Sequence, residues 1–464
     1  MKLSEKILLG VLLGAVFTFS PGGFLVAALF LTALCMIKKY IKTESTTFLI
    51  KLFIVGFALR AVLAFANYQV ALNVMHKGVD TQPDAVVYNN NAYYIAHLLK
   101  NFDYSEDVAK DPVLGLSMES ERAWLKDEIP PIGFYQHGFY VHMLGYVYAY
   151  LGYCPLAMKI LNCLFGALCA ILVYLIARLL SGSENISKTS ATVTMFFPSM
   201  IYWSATLLRD TIATSIFLAY MLALLIYITS GGRKALISAL VSVIVLSLFK
   251  EKVSPILMMG LVFVLIANAA KKIFKMKRLT VFIVTICIFA GSAALLLLNK
   301  DIMLRQLNKN ATTMFSHHKS YSLNNTASVY KVFSESIYAK TEWHLQDFLN
   351  VHLPFSIFKS LAYFFLSPFP WYIPYHHLGL LVFYPQVILT FIFLPFVLLG
   401  LLVSARRDVY VTVVIVTVLA LLVIPNAIAE GIIGIVVRHR DMFMPFLIIF
   451  ASCGFLSTMR KNIT

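Results

Sequence analysis

Charged residues are scarce in this sequence of 464 residues, of which 13% are charged and 60% are hydrophobic. A soluble domain is about half apolar and a quarter charged, and no soluble core could absorb so much apolar surface. Runs of roughly 17 to 25 apolar residues recur along the chain, and that length crosses about 30 Å of hydrocarbon as a helix. The composition therefore predicts a polytopic membrane protein.

Other features are missing as well. The six cysteines are scattered, mostly within apolar runs, and lack the paired spacing of a disulfide framework or a metal site. No glycine-rich phosphate loop precedes a helix, which argues against a soluble nucleotide-sugar site. The chain also shows no internal repeat and no soluble terminal domain. We therefore expect any chemistry to reside in loops at one face of the membrane.

The formal net charge of +16 would suggest a nucleic-acid partner if the basic residues clustered on a soluble face. Instead they lie in short loops between apolar runs, among them Lys38, Lys39, Arg233, Lys234, Arg406 and Arg407. The positive-inside rule predicts that these loops are cytoplasmic. The partners that this pattern implies are membrane lipids, with no nucleic acid.

The predicted fold is all-α, a bundle of about 11–13 transmembrane helices. Residues 1–46 are predicted to form an N-terminal membrane hairpin, and residues 47–464 the main domain. Two long segments, 67–154 and 299–377, are predicted to be extracytoplasmic. The main-domain spans are expected at residues 47–66, 155–180, 190–205, 210–229, 235–250, 253–269, 279–298, 378–403, 409–426 and 441–457.

The outer segment 67–154 holds ten of the 22 acidic residues of the chain, and most of them are expected to be solvated. Asp84 differs, because it shares a helix face with Tyr88 just beyond a span that carries Arg60 in its last turns. A docking lipid would desolvate such a carboxylate and make it a better proton acceptor. Asp84 is therefore the candidate catalytic base, Asp80 is its rival, and a simple charge at a helix N-terminus is the alternative.

Seven polar residues are predicted to gather at the outer ends of spans, and six of them are basic side chains. Basic residues at a membrane face are costly, so a bound partner is expected to offset that cost. The seven residues are Arg209, Asp210, Lys250, Lys252, Arg438, His439 and Arg440. A lipid phosphate would be such a partner, since guanidinium groups grip phosphate oxygens bidentately. The alternative is salt bridging, of Arg209 with Asp210 or of Lys250 with Glu251. Tyr88 and His137 are secondary candidates.

Three stretches carry a family resemblance: Asp84 with Tyr88 and Ala92, the run from Gly133 to Gly182, and the C-terminal VVRHRDMFMPFLIIFASCGF. Together they resemble the GT-C superfamily of polyprenyl-phosphate-sugar-dependent glycosyltransferases, in particular the bacterial relatives of protein mannosyltransferases and lipid A aminoarabinose transferases. The resemblance implies a GT-C-like fold in the inner (cell) membrane, with an extracytoplasmic active face. It places the catalytic carboxylate at Asp84.

Metal dependence stays open. Many members of that family have a second acidic residue directly after the first, whereas Ala85 follows Asp84 here. All eleven histidines are predicted to lie outside or at the outer boundary of the membrane, and the pairs His317/His318 and His376/His377 could be ligands. Adjacent histidines rarely face one ion, so no metal ligand is assigned. No cofactor is assigned either, and a divalent metal is left open.

The predicted function is an inverting glycosyltransferase. It would move a hexosyl or pentosyl group from a polyprenyl-phosphate donor to an acceptor hydroxyl on a cell-envelope glycan, lipid or protein. Asp84 would deprotonate the acceptor, and the basic residues would hold the departing phosphate. The alternatives are an O-antigen-type polymerase or ligase, and a lipid-linked glycan transporter or flippase, which would place charges near the middle of the membrane.

Overall fold

The computed structural model describes residues 21–41, 45–76, 78–100, 138–274, 277, 279–287, 353–369, 384–430 and 433–461, and they contain helices but no strand. The helices are α1 (Gly23–Tyr40), α2 (Thr46–Asn73), α3 (Pro83–Lys100), α4 (Gly138–Leu151), α5 (Pro155–Ser181), α6 (Glu184–Met195), α7 (Pro198–Ser204), α8 (Asp210–Ser230), α9 (Arg233–Phe249), α10 (Ser254–Phe274), α11 (Leu353–Leu366), α12 (Tyr384–Arg407), α13 (Val409–Ala429), α14 (Ile433–Arg440) and α15 (Met444–Lys461). Residues 279–287 are also helical.

Within the described residues, 6 helices are long and apolar enough to cross a membrane, or up to 7 if the bent pair α14 and α15 forms one span. The six are α1, α2, α5, α8, α12 and α13. Ser254–Ala270 of α10 is apolar but shorter. The protein is therefore an all-α, multi-pass membrane protein. The larger total of 11–13 spans stays a prediction, since parts of the predicted spans 279–298 and 378–403 lie outside the described residues.

One predicted span is broken, and the last one begins at a bend. The predicted span 190–205 is divided between α6 and α7, because Pro198 stands in the first turn of α7 and cannot continue the preceding helix. The predicted last span, 441–457, corresponds to α15, which follows α14 at a bend of 63°. Residues 441–443 form the turn between these two helices.

Arg60 lies near the middle of its helix and not in the last turns. The predicted span ends at residue 66, whereas α2 continues to Asn73, for 28 residues in all. Nothing in the sequence stops the helix before that point, since no proline or glycine lies between Arg60 and Asn73. The first residues of the predicted outer segment 67–154 are thus helical, and α3 and α4 follow within it.

The chain forms two compact units, and one of them holds α3 and α4. This unit, called the amino-terminal unit here, comprises residues 1–172, 191–218 and 244–251. Within it α3 packs along α4, where the absence of a side chain at Gly145 permits close approach. A Cβ atom at Gly145 would lie 3.0 Å from the carbonyl oxygen of Ala92.

The second unit, called the carboxy-terminal unit here, comprises residues 173–190, 219–243 and 252–464. Its described core contains α12 and α15, which meet backbone to backbone. A Cβ atom at Gly400 would lie 1.7 Å from the carbonyl oxygen of Phe450, and one at Gly454 would lie 2.1 Å from that of Phe396. Small residues that let backbones touch are a common means of joining helices in membranes.

Candidate functional site

Asp84 is an exposed carboxylate in the first turn of α3. The helix begins at Pro83, whose fixed backbone suits a first helical position. A negative charge in the first turn is also favourable beside the helix N-terminus. Position and exposure together leave this carboxylate accessible from outside the protein.

Aromatic and amide side chains hold α3 against α4. The rings of Tyr88 and Tyr140 meet edge to face with their centroids 5.8 Å apart. Further along, the Tyr148 hydroxyl donates to Asn89 Oδ1 at 3.0 Å, and Asn89 Nδ2 donates to the Tyr153 hydroxyl at 2.8 Å. Tyr88, a secondary candidate from the sequence, is therefore buried between the two helices and contributes to the position of α3.

Asp80 lies in a contrasting environment only four residues from Asp84. Its side chain is 0% exposed, and Oδ2 is 3.0 Å from Nζ of Lys159, which is also 0% exposed. The backbone N–H of Leu207 donates to the same oxygen at 2.9 Å, and the N–H of Gln82 donates to Oδ1 at 3.0 Å. Asp80 is thus a fully engaged carboxylate within the amino-terminal unit.

The ammonium group of Lys159 likewise has a partner for each of its N–H donors. Besides Asp80, its ammonium donates to Asn67 Oδ1 at 2.5 Å and to the Val79 carbonyl oxygen at 3.1 Å. An ammonium has three N–H donors, and three acceptors surround this one. No role could be predicted for Lys159, because a single lysine near the start of an apolar run has no local pattern that reveals its partner.

Arg209, Asp210 and Lys250 come together at adjoining ends of α8 and α9. Lys250 Nζ lies 2.8 Å from Asp210 Oδ1, and Arg209 donates to the carbonyl oxygen of Phe249. The observed ion pair joins Lys250 to Asp210, not to its neighbour Glu251, whose side chain is exposed. The lysine and the arginine are both partly exposed, so the group presents positive charge at the surface of the unit.

The Tyr140 hydroxyl lies within electrostatic range of both Asp210 and Asp80. Burial is the main cause that raises the pKa of the Tyr140 hydroxyl, and the negative charges of Asp80 and Asp210 add to it. Interaction with the Asn162 side chain acts in the opposite direction. The phenol therefore stays neutral at physiological pH.

The remaining predicted residues, Lys252, Arg438, His439 and Arg440, lie in the carboxy-terminal unit. Arg440 is 1% exposed, and its Nη1 donates to the carbonyl oxygens of Phe365 at 2.8 Å and Ser367 at 2.7 Å. These carbonyls belong to the end of α11, so Arg440 caps that helix.

His439 and the other members of this group differ from Arg440. His439 Nδ1 lies 2.9 Å from Glu430 Oε1, so this imidazole already has a carboxylate partner. Arg438 is partly exposed and Lys252 is exposed. His137 lies outside the described residues, as do His317, His318, His376 and His377. Within the described part of the chain, no group of three or more histidine, cysteine, aspartate or glutamate side chains could hold a metal ion.

Arg60 is fully buried in the middle of α2. Its Nη1 donates to the Gly56 carbonyl oxygen and to the Met195 sulfur, each at 3.1 Å. Among the described residues, its Nε and Nη2 have no hydrogen-bond partner. An ionised group at this depth is costly, and such groups are commonly functional.

Comparisons with known proteins identify no relative of this chain. No family model, no curated protein and no solved structure matches the chain.

Proposed function

We propose that this membrane protein is an inverting glycosyltransferase of the GT-C type, which takes a sugar from a polyprenyl-phosphate donor at the extracytoplasmic face. The observation that carries the proposal is the contrast between two nearby carboxylates. Asp80 is buried and fully engaged, whereas Asp84 is exposed at the start of a helix that is held firmly in place. A general base needs an accessible carboxylate in a fixed position.

In the proposed reaction, Asp84 accepts the proton of the acceptor hydroxyl. The acceptor oxygen attacks the anomeric carbon of the sugar from the face opposite the phosphate. The bond between that carbon and the phosphate oxygen breaks, and its electron pair leaves with the polyprenyl phosphate. The products are the glycosylated acceptor and the lipid phosphate, with inverted anomeric configuration.

Arg209 and Lys250 are the best supported candidates for holding the phosphate, because they belong to the same unit as Asp84 and are partly exposed. Their contacts with Phe249 and Asp210 hold the cationic groups in place before the donor arrives. Preorganised cations stabilise developing negative charge without reorganisation. Arg438 and Lys252 remain candidates in the other unit. Arg440 and His439 are better explained as structural, given their carbonyl and carboxylate partners.

A second candidate function is a lipid-linked glycan transporter, and Arg60 is the observation that favours it. Transporters commonly place charges near the middle of the membrane, and Arg60 is a buried cation near the centre of a 28-residue helix. The O-antigen-type polymerase or ligase gains no such support from the described residues.

The lipid-linked glycans of cells that lack this protein, analysed by mass spectrometry, distinguish these functions. A transferase predicts accumulation of one polyprenyl-phosphate monosaccharide, together with a cell-envelope acceptor lighter by one sugar. A polymerase predicts accumulation of complete single repeat units. A transporter predicts a lipid-linked glycan of normal structure that stays at the cytoplasmic leaflet, and this result would contradict the proposal.

A further inference from the structure

The buried pair of Lys159 and Asp80 joins four stretches of the amino-terminal unit that are separate in the sequence. Lys159 belongs to α5, and Asp80 lies in the connection between α2 and α3. Lys159 also binds Asn67 of α2, while Asp80 accepts a hydrogen bond from Leu207 in the connection that precedes α8. Both partners are 0% exposed, so water does not screen the pair.

Asp84 and Arg209 each lie two residues after a backbone N–H group that donates to the Asp80 carboxylate. Gln82, whose backbone N–H donates to Asp80 Oδ1, lies two residues before Asp84. Leu207, whose backbone N–H donates to Asp80 Oδ2, lies two residues before Arg209. One carboxylate therefore fixes the start of α3 on one side and the segment that leads to Arg209 on the other.

We infer that Lys159 is a positioning residue, which holds Asp80 in place and thereby sets the separation between Asp84 and the cluster of Arg209 and Lys250. This inference rests on the proposed function, in which Asp84 serves the acceptor and the cluster serves the donor. Sugar transfer requires the acceptor oxygen, the anomeric carbon and the leaving oxygen in line. A displacement of about 1 Å can cost roughly 100-fold in rate.

The chemistry of a buried pair makes the inference testable. Removing one partner leaves an uncompensated charge that must find water or another partner, so the surrounding segments shift. Removing both charges leaves no uncompensated charge, so the surrounding segments have less reason to shift. A pair that positions other groups therefore predicts that each single variant is worse than the double variant.

The test measures a distance by pulsed electron paramagnetic resonance between spin labels at Val87→Cys and Glu251→Cys. Both side chains are exposed, both lie in the amino-terminal unit, and neither belongs to the proposed site. The exposed native cysteines, Cys35 and Cys287, are first replaced by alanine. Lys159→Met and Asp80→Asn should each broaden or shift the distance distribution, and the double variant should restore much of it.

Lys188→Met is the matched control. It also removes a lysine from an ion pair, but Lys188 and Glu184 are 37% and 28% exposed, and exposed pairs contribute little. This variant should leave the distribution unchanged. If Lys159→Met does not fold, the distance is compared between Asp80→Asn and the double variant.

Rates of sugar transfer by the same variants, without spin labels, distinguish a failure of the positioning role from a failure of the proposed function. We expect Lys159→Met to lower kcat by about 10- to 100-fold while KM for the lipid-linked donor changes little. Unchanged distances in both single variants overturn the positioning role, even if transfer depends on Asp84. Distances that broaden as expected, in a protein that transfers no sugar, leave the positioning of the two segments intact and overturn the proposed function.

Discussion

Asp80 and Asp84 show how burial decides what a carboxylate can do. Asp80 accepts hydrogen bonds from one ammonium and two backbone N–H groups and has no exposure, so an acceptor hydroxyl cannot reach it. Asp84 is exposed in the first turn of α3. The same side chain therefore suits a structural role at one position and proton transfer at the other.

Substitution of these two residues should change the free energy of unfolding by different amounts. Asp80→Asn leaves Lys159 buried without its counter-ion, and breaking a buried pair in this way costs about 3–5 kcal/mol. Asp84→Asn changes an exposed side chain and should alter the free energy of unfolding by no more than about 0.5 kcal/mol. Thermal unfolding of the two purified variants in the same detergent measures the difference. Equal shifts in the two variants would show that Asp80 and Lys159 do not form the described pair.

The two arginines of α14 should respond differently to substitution. Arg440→Ala removes the cap of α11 and should destabilise the protein, because several buried carbonyl oxygens lose a charged donor. Arg438→Ala should leave stability nearly unchanged and weaken binding of polyprenyl phosphate by roughly ten- to a hundred-fold, if the arginine holds the phosphate. Binding to vesicles that contain polyprenyl phosphate, with thermal unfolding alongside, tests both. Normal binding by Arg438→Ala would remove this residue from the site.

At the scale of elements, the contact between α12 and α15 depends on Gly400. Alanine there would place a methyl group 1.7 Å from the Phe450 carbonyl oxygen, so the two backbones must separate. Overpacking of this kind costs about 1–3 kcal/mol. Gly434→Ala is the matched control, because a Cβ atom at that helical glycine meets nothing within 4 Å. Unfolding in detergent should show a loss of stability for Gly400→Ala alone, and equal stability of the two variants would contradict the contact.

The apolar elements could be predicted from the sequence, and the polar contacts could not. Hydropathy locates a membrane helix whatever its neighbours are, so α5, α8 and α13 agree with predicted spans, and α2 begins where predicted but continues beyond the predicted end. The break before Pro198 follows a local rule that hydropathy averaging conceals. The partner of Lys159 is a different kind of problem. Asp80 lies far away in the sequence, and only the packing of α2 and α5 brings the two charges together.

At the scale of the whole molecule, sidedness is the prediction that the proposed function most needs. The positive-inside rule places the loop that holds Lys234 in the cytoplasm and α3, which ends at Lys100, outside. Both side chains are exposed. In a background without Cys35 and Cys287, Lys100→Cys should react with an impermeant maleimide added to intact cells, and Lys234→Cys should react only after lysis. The reverse pattern would place Asp84 on the cytoplasmic side and exclude an extracytoplasmic transferase.

The central claim is that Asp84 is the base of a sugar transfer, and one rate comparison tests it most directly. The polyprenyl-phosphate fraction from cells that lack the protein is radiolabelled and incubated with purified wild-type or Asp84→Asn protein in nanodiscs, together with membranes from the same cells as acceptor. Loss of a general base typically costs about 100- to 10,000-fold. We therefore expect the wild-type protein to transfer the label, and Asp84→Asn to bind the donor normally but transfer it at least about 100-fold more slowly. Near-normal transfer by Asp84→Asn would contradict the account.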